Sequence, residues 1–233
     1  MKFVITNDDG IDAPGLAALA EILRPLGTVV AVAPDTEQSG VGHRVTTRRP
    51  IPVKREGPDR HRVDGTPADC ARLALKALVP DADWLISGIN PGANLGSDVY
   101  NSGTVAAARE AAILGGRGMA VSQYIARGHR IDWAVTTRHA GEAIRRLLAR
   151  ELAPDHFWNI NLPHPLGWAD RPALAFRGLD PRPHLYRYRR EGAHFHYDGN
   201  IHERPFAPDT DVEACYGGYV SVTRIAVGTT PYQ

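Results

Sequence analysis

The first 34 residues constrain the fold more than any other stretch. Lys2-Phe3-Val4-Ile5-Thr6 and Thr28-Val29-Val30-Ala31-Val32-Ala33 are short, mostly apolar runs rich in β-branched residues. Apolar residues at consecutive rather than alternating positions mark a strand buried on both faces. Between the runs, Leu16, Leu19, Leu23 and Leu26 recur at three- and four-residue steps, a one-sided helical stripe. Asp12 is placed to cap that helix, and Pro25 and Gly27 to end it. Two buried strands joined through a helix over so short a span form a βαβ unit with parallel strands.

The rest of the chain up to residue 163 repeats the alternation. Residues 45–64 read as a β excursion of short extended pieces. Thr66-Pro67-Ala68-Asp69 is a helix start, with a Thr cap, Pro at the first helical position and an acid in the first turn. That helix runs through Leu73, Ala74, Ala77 and Leu78 and stops at Pro80. Strands are expected at 84–87 and 118–122, helices at 105–114 and 132–151, and a last buried strand at 157–162. Ala140, Ile144, Leu147 and Leu148 form the inward face of the longer helix. The expectation is an α/β core over 1–163, Rossmann-like and doubly wound on a mostly parallel sheet.

From residue 164 the character changes. Pro, Arg, His and aromatic residues dominate and no helical stripe is visible. Leu185–Arg190 and His194–Asp198 alternate around Gly192, with Tyr186/Tyr188 and Phe195/Tyr197 each on one face, a β-hairpin signature. We therefore expect 164–233 to be a C-terminal extension whose hairpin arm needs a second surface, because a lone two-stranded hairpin is marginal in water.

Composition removes several function classes. The 233 residues carry a formal net charge of +1, so no global field points to nucleic acid or to an acidic membrane. Cys70 and Cys215 make no disulfide framework. No apolar stretch reaches the roughly 18 residues of a membrane span, and the first residues lack a signal pattern. A cytoplasmic protein is expected.

Four polar clusters follow expected strands: Asp8-Asp9, Ser39-Gly40, Ser87-Gly88-Ile89-Asn90 and, just beyond, Asn101 to Thr104. Parallel strands deliver such loops to one edge of the sheet, where open α/β folds bind ligands. Taken alone, Asn7-Asp8-Asp9-Gly10 is also an ordinary solvated turn. Together, Asp8, Asp9, Ser39 and Asn90 supply the oxygen donors that a hard divalent cation prefers, without the Cys or His of a zinc cage. Ser102 with Gly103 and Thr104 opens an Ala-rich helix, and its free N–H groups can hold an anion. Ordinary N-capping by Ser102 is the simpler alternative. A helix terminus contributes about 0.3–1 kcal/mol to a bound anion, whereas a metal acting as Lewis acid supplies several, so the cation must dominate any phosphate chemistry here.

These residues resemble a family. Thr6-Asn7-Asp8-Asp9-Gly10, Ala33-Pro34-Asp35 through Ser39-Gly40, Gly65 to Cys70, Ser87 to Asn90 with Gly92, Asn94 and Gly96, and Ser102 to Val105 are similar to motifs of the SurE family of stationary-phase survival proteins. Asn159 to Pro163 and Gly218 to Thr223 resemble its later motifs. The resemblance implies a metal-dependent phosphatase for nucleoside 5′- and 3′-monophosphates, with some activity on short polyphosphate. It implies one divalent ion per subunit, Mn²⁺ or Mg²⁺, on Asp8, Asp9, Ser39 and Asn90, and a homodimer or homotetramer joined through the C-terminal arm.

In that reading Asp8 and Asp9 are the catalytic pair, one of them also acting on the attacking water, and Asn94, Ser102, Gly103 and Thr104 bind phosphate. Arg44 and Arg224 depart from the residues usual in the family at those places. Two alternatives stand beside it. A phosphoaspartyl phosphatase requires Asp-x-Asp after the first strand, whereas Asp8 and Asp9 are adjacent. A nucleotide-sensing module would bind without turnover. The Arg-, His- and Tyr-rich segment 177–204 fits an exposed arm better than an RNA contact, and His194 and His196 have no evident third metal ligand.

Overall fold

The computed structural model describes residues 1–164, 172–183, 185–199 and 201–228, so parts of the expected 164–233 extension lie outside the described residues. Strand β1 (Lys2–Thr6), helix α1 (Pro14–Leu23) and strand β2 (Thr28–Pro34) form the expected βαβ unit, and β1 and β2 pair parallel. The excursion at 45–64 contains β3 (Val53–Gly57) and β4 (Arg60–Val63), and β4 lies parallel to β2. Helix α2 (Pro67–Leu73) continues as a π-helical turn over Ala74–Leu78. Strand β5 (Trp84–Pro91), helix α3 (Gly103–Ile113), strand β6 (Gly118–Gln123), helix α4 (Trp133–Leu148) and strand β7 (His156–Leu162) complete the expected series.

Burial follows from the apolar runs. Phe3 and Ile5 of β1 face one side of the sheet with Leu16, Leu19, Leu23, Ile144 and Leu147, while Val4 faces the other with Cys70, Ala71, Ala107 and Ala111. Helices α1 and α4 thus cover one face and α2 and α3 the other. The Thr66 hydroxyl accepts from the Asp69 N–H at 3.2 Å and the Asp69 carboxylate accepts from the Thr66 N–H at 3.0 Å, the reciprocal cap that this sequence favours.

Two details differ from the sequence reading. Asp12 does not cap α1; the cap position is Ala13, and the Asp12 carboxylate instead accepts from Arg60 at 2.5 Å and Arg62 at 2.8 Å. Two arginines from β4 outcompete the local N–H groups for that charge. Nor is β7 the last buried strand. After β8 (Leu174–Phe176) and helix α5 (Asp211–Tyr216), strand β11 (Val220–Ala226) inserts antiparallel beside β7 and carries β8 on its outer side. Six residues of α5 are too few to show a stripe in the sequence.

Among the described residues the main sheet has nine strands in the order β3-β4-β2-β1-β5-β6-β7-β11-β8. The chain leaves β1 toward β2 and later returns to place β5 on the opposite side of β1. The crevice between the carboxyl ends of β1 and β5 is therefore a topological switch point, where such sheets bind ligands. The expected hairpin forms a separate pair, β9 (Tyr188–Glu191) with β10 (His194–Tyr197), in which Tyr188 opposes Tyr197 and Arg190 opposes Phe195. Its aromatic rings stand in the open, Tyr188 at 62% and Phe195 at 65% exposure.

Candidate active site

The Asn7-Asp8-Asp9-Gly10 turn lies at the switch point, directly after β1. Asn7 makes the turn itself, its Nδ2 donating to the Gly10 carbonyl at 2.8 Å. That frees the two carboxylates for other work. Asp8 is buried, and its main-chain carbonyl accepts from the Gln38 N–H at 2.7 Å, which ties the loop after β2 to the loop after β1. The Thr104 hydroxyl donates to Asp8 Oδ1. The N–H groups of Gly103 and Thr104 also act on the Asp8 carboxylate, so the anion held by the α3 N-terminus in this structure is Asp8 itself. Gly103 has to be glycine for this approach, since a Cβ there would lie 2.8 Å from the Asp8 Cβ.

Burial pushes the Asp8 carboxyl above its ordinary range against the pull of these donors. Asp9 is perturbed further, to about 7, first by burial, then by the charges of Asp8 and Glu37. Its Oδ2 is buried with no hydrogen-bond partner among the described residues.

Ser39 is exposed on the loop after β2, and its hydroxyl donates to Glu37 Oε1 at 2.6 Å. Asn90, at the end of β5, donates its Nδ2 to the Gly92 carbonyl at 2.7 Å. In both side chains the donor is engaged locally, which leaves lone pairs on Ser39 Oγ and Asn90 Oδ1. Two crowded carboxylates with an unpartnered oxygen, flanked by two neutral oxygens whose donors are engaged, fit a hard cation. Among the described residues no group of three or more His, Cys, Asp or Glu is arranged to hold a metal, so a cation site here depends on the neutral oxygens.

The expected phosphate donors have other partners. Ser102 is the N-cap of α3, its Oγ accepting from the Val105 N–H at 3.1 Å, and its own O–H remains available. The Thr104 hydroxyl and the Gly103 approach serve Asp8, as above. Asn94 is buried: its side-chain Nδ2 donates to Ser122 Oγ at 2.8 Å, and its main-chain carbonyl accepts from Asn159 Nδ2 at 2.9 Å and Asn161 Nδ2 at 3.0 Å. Buried amides need partners, and Asn94 finds them in the sheet.

The sequence reading missed the side chains that hold these loops in place. Glu110 of α3 is fully buried and joins His43, on the Ser39 loop, at 2.6 Å to Arg72 of α2 at 2.6 Å. Burial opposes its ionisation, but those two hydrogen bonds prevail and hold the carboxyl below its usual range. Asp211 accepts from the Gly96 N–H at 2.7 Å, and Arg204 donates to the Leu95 carbonyl at 3.1 Å and to Asp98 at 2.9 Å. A charged residue inside the Ala-rich pattern of α3 is the one signal that pointed to Glu110; Asp211 and Arg204 had none. Arg44 and Arg224, the two departures, are both exposed.

The family profile described as survival protein SurE matches residues 3–179. The chain belongs to the SurE family. A relative from Synechocystis sp. is 44% identical over 227 residues, covering 97% of this chain and 100% of that one. The 5′-nucleotidase SurE of Geobacter sulfurreducens is 37% identical over 248 residues, covering 100% of this chain and 90% of that one. The crystal structure of the SurE protein from Aquifex aeolicus superposes with a TM-score of 0.85 at 31% identity, over 99% of this chain and 95% of that one. That SurE protein therefore shares the mostly parallel α/β fold described above.

Proposed function

We propose that this chain is a metal-dependent 5′-nucleotidase, a phosphomonoesterase that hydrolyses nucleoside 5′- and 3′-monophosphates to nucleoside and phosphate, with short polyphosphate as a secondary substrate. What supports the reading is that Asp8, Asp9, Ser39 and Asn90 lie at or beyond the carboxyl ends of β1, β2 and β5, with Asp9 Oδ2 unpartnered and the Ser39 and Asn90 donors engaged. Membership of a family with relatives named 5′-nucleotidase supports the same activity.

A divalent cation held by these residues, Mn²⁺ or Mg²⁺ at one per subunit, would supply Lewis acidity toward a phosphoryl oxygen and the attacking water. The protein groups divide the remaining tasks. Asp8 is locked by Thr104 and the α3 N–H groups, so it orients. Asp9 has an oxygen without a donor and is the carboxylate open to the water's proton. The Ser102 O–H at the α3 N-terminus would donate to a phosphoryl oxygen, since its Oγ otherwise only accepts from Val105.

The working assembly in this reading is a homodimer or homotetramer, with the exposed Tyr188, Phe195 and Tyr197 of the β9–β10 arm covered by another subunit. Buried free Cys70 and Cys215 suit a reducing cytoplasm. Among the described residues no helix is long and apolar enough to cross a membrane. The test is phosphate release from nucleoside monophosphates with each of several divalent cations. Chelation and Asp8→Asn are each expected to abolish release while the fold survives; near-normal release in either case would refute the reading.

A further inference from the structure

A cavity beside the site has no role in phosphate chemistry as described so far. It measures about 560 Å³, and its lining includes Asp9, Asp35, Glu37, Pro91 and Trp133. Three of these adjoin proposed cation ligands: Asp9 is one, Pro91 follows Asn90, and Glu37 holds the Ser39 hydroxyl. The far wall is Trp133, the first residue of α4, whose start is fixed by the Asp132 carboxylate accepting from Ala134 at 3.0 Å and Val135 at 3.2 Å. Behind the indole lies Gly15, where a Cβ would come within 3.1 Å of the Trp133 ring. The half-buried indole is thus backed by α1 and borders the cavity.

We infer that this cavity is the nucleobase subsite, with the base stacked on Trp133; the inference rests on the nucleotidase reading above. A phosphate bound by a cation on Asp8, Asp9, Ser39 and Asn90 would leave its ester substituent free to extend past Asp9 toward Pro91 and Trp133, which line the cavity. The charged residues lining the cavity, Asp9, Asp12, Asp35 and Glu37, are all carboxylates. They repel a further phosphate but accept N–H groups from a neutral base. Asp12 and Asp35 already hold Arg62, at 2.8 and 3.0 Å, and Glu37 takes the Ser39 hydroxyl on Oε1 alone, so Glu37 Oε2 is the acceptor offered to the base edge. Stacking of a base on an aromatic side chain strengthens binding by about ten- to a hundredfold. The subsite accordingly selects base-bearing monophosphates over phosphoryl compounds that lack a base.

The test compares kcat/KM for adenosine 5′-monophosphate with kcat/KM for ribose 5-phosphate, which carries a hydroxyl at C1 in place of the base, using the full-length protein with Mn²⁺. The wild-type ratio is expected to exceed about ten. Trp133→Ala is expected to lower it about tenfold through KM for the nucleotide, and Trp133→Phe, which keeps a stacking face, to retain most of it. Should Trp133→Ala not fold, Trp133→Phe and inhibition of the wild type by adenosine but not by ribose carry the comparison. A wild-type ratio near one, a ratio unmoved by Trp133→Ala, or equal losses in the alanine and phenylalanine variants overturns the subsite and leaves the nucleotidase reading standing. Failure to release phosphate from either compound overturns both.

Discussion

Metal-free protein should lose stability as pH rises past the acid range, and Asp9 should be the cause. Its carboxyl titrates near 7 when folded against an ordinary value of 3.8. Between those values the folded chain keeps a proton that the unfolded chain has released. Stability then falls as pH rises through that window and levels off above about pH 7. At about 1.36 kcal/mol per pKa unit the full difference corresponds to roughly 4 kcal/mol. Asp9 is only partly buried, so solvent screening reduces this to about 2 kcal/mol.

Asp9→Asn mimics the protonated carboxyl and removes the titration. In the presence of chelator the variant should be the more stable near pH 8, and its advantage should shrink steadily toward about pH 4, close to the unfolded value of 3.8. For a chain of this size about 2 kcal/mol corresponds to a Tm difference of about 4–8 °C. Mn²⁺ should reverse the order at pH 8, because a ligand that binds only the folded state stabilises it by about 2.7 kcal/mol at a hundred times its Kd, and the variant lacks one ligand charge. Thermal denaturation of both proteins at two pH values, with and without Mn²⁺, tests each arm. A pH-independent Tm difference in chelator would refute the assignment of strain to Asp9.

Gly103→Ala should push a methyl group into Asp8, costing about 1–3 kcal/mol of stability and a larger share of phosphate release, read by denaturation and kinetics on the same sample. Ser102→Ala should lower stability by about 0.5–2 kcal/mol through loss of the α3 cap and should also lower kcat/KM about tenfold; unchanged kinetics would assign Ser102 to capping alone. Deleting the hairpin arm over 186–198 should lower the mass in solution measured by light scattering, and an unchanged mass would rule the arm out as the joint between subunits.

Much of the fold was legible in the sequence because its signals are local. The consecutive apolar residues of β1 and β2 can be satisfied only by burial on both faces, and a helix between two such strands makes them parallel. The same logic put Asp8, Asp9 and Ser39 after strand ends, whereas Asn90, expected in a loop after residue 87, lies within β5, which continues to Pro91; alternation around Gly192 marked the hairpin. The Thr66 cap and the acid at Asp69 were equally visible, because both lie within four residues.

What the tertiary structure decided is which partner each polar group takes. Asp12 had a nearby helix to cap and went instead to Arg60 and Arg62, 48 and 50 residues away. Thr104 and Gly103, read as phosphate donors, face Asp8, and Asn94 turns to Ser122, Asn159 and Asn161. Strand β11 reverses direction beside β7, and α5 brings Asp211 to Gly96, 115 residues distant in sequence. Apolar periodicity states which face of an element is buried, since burial depends on the residue's own side chain. A hydrogen bond or ion pair depends on a second group as well, and only the packed chain brings that group within reach.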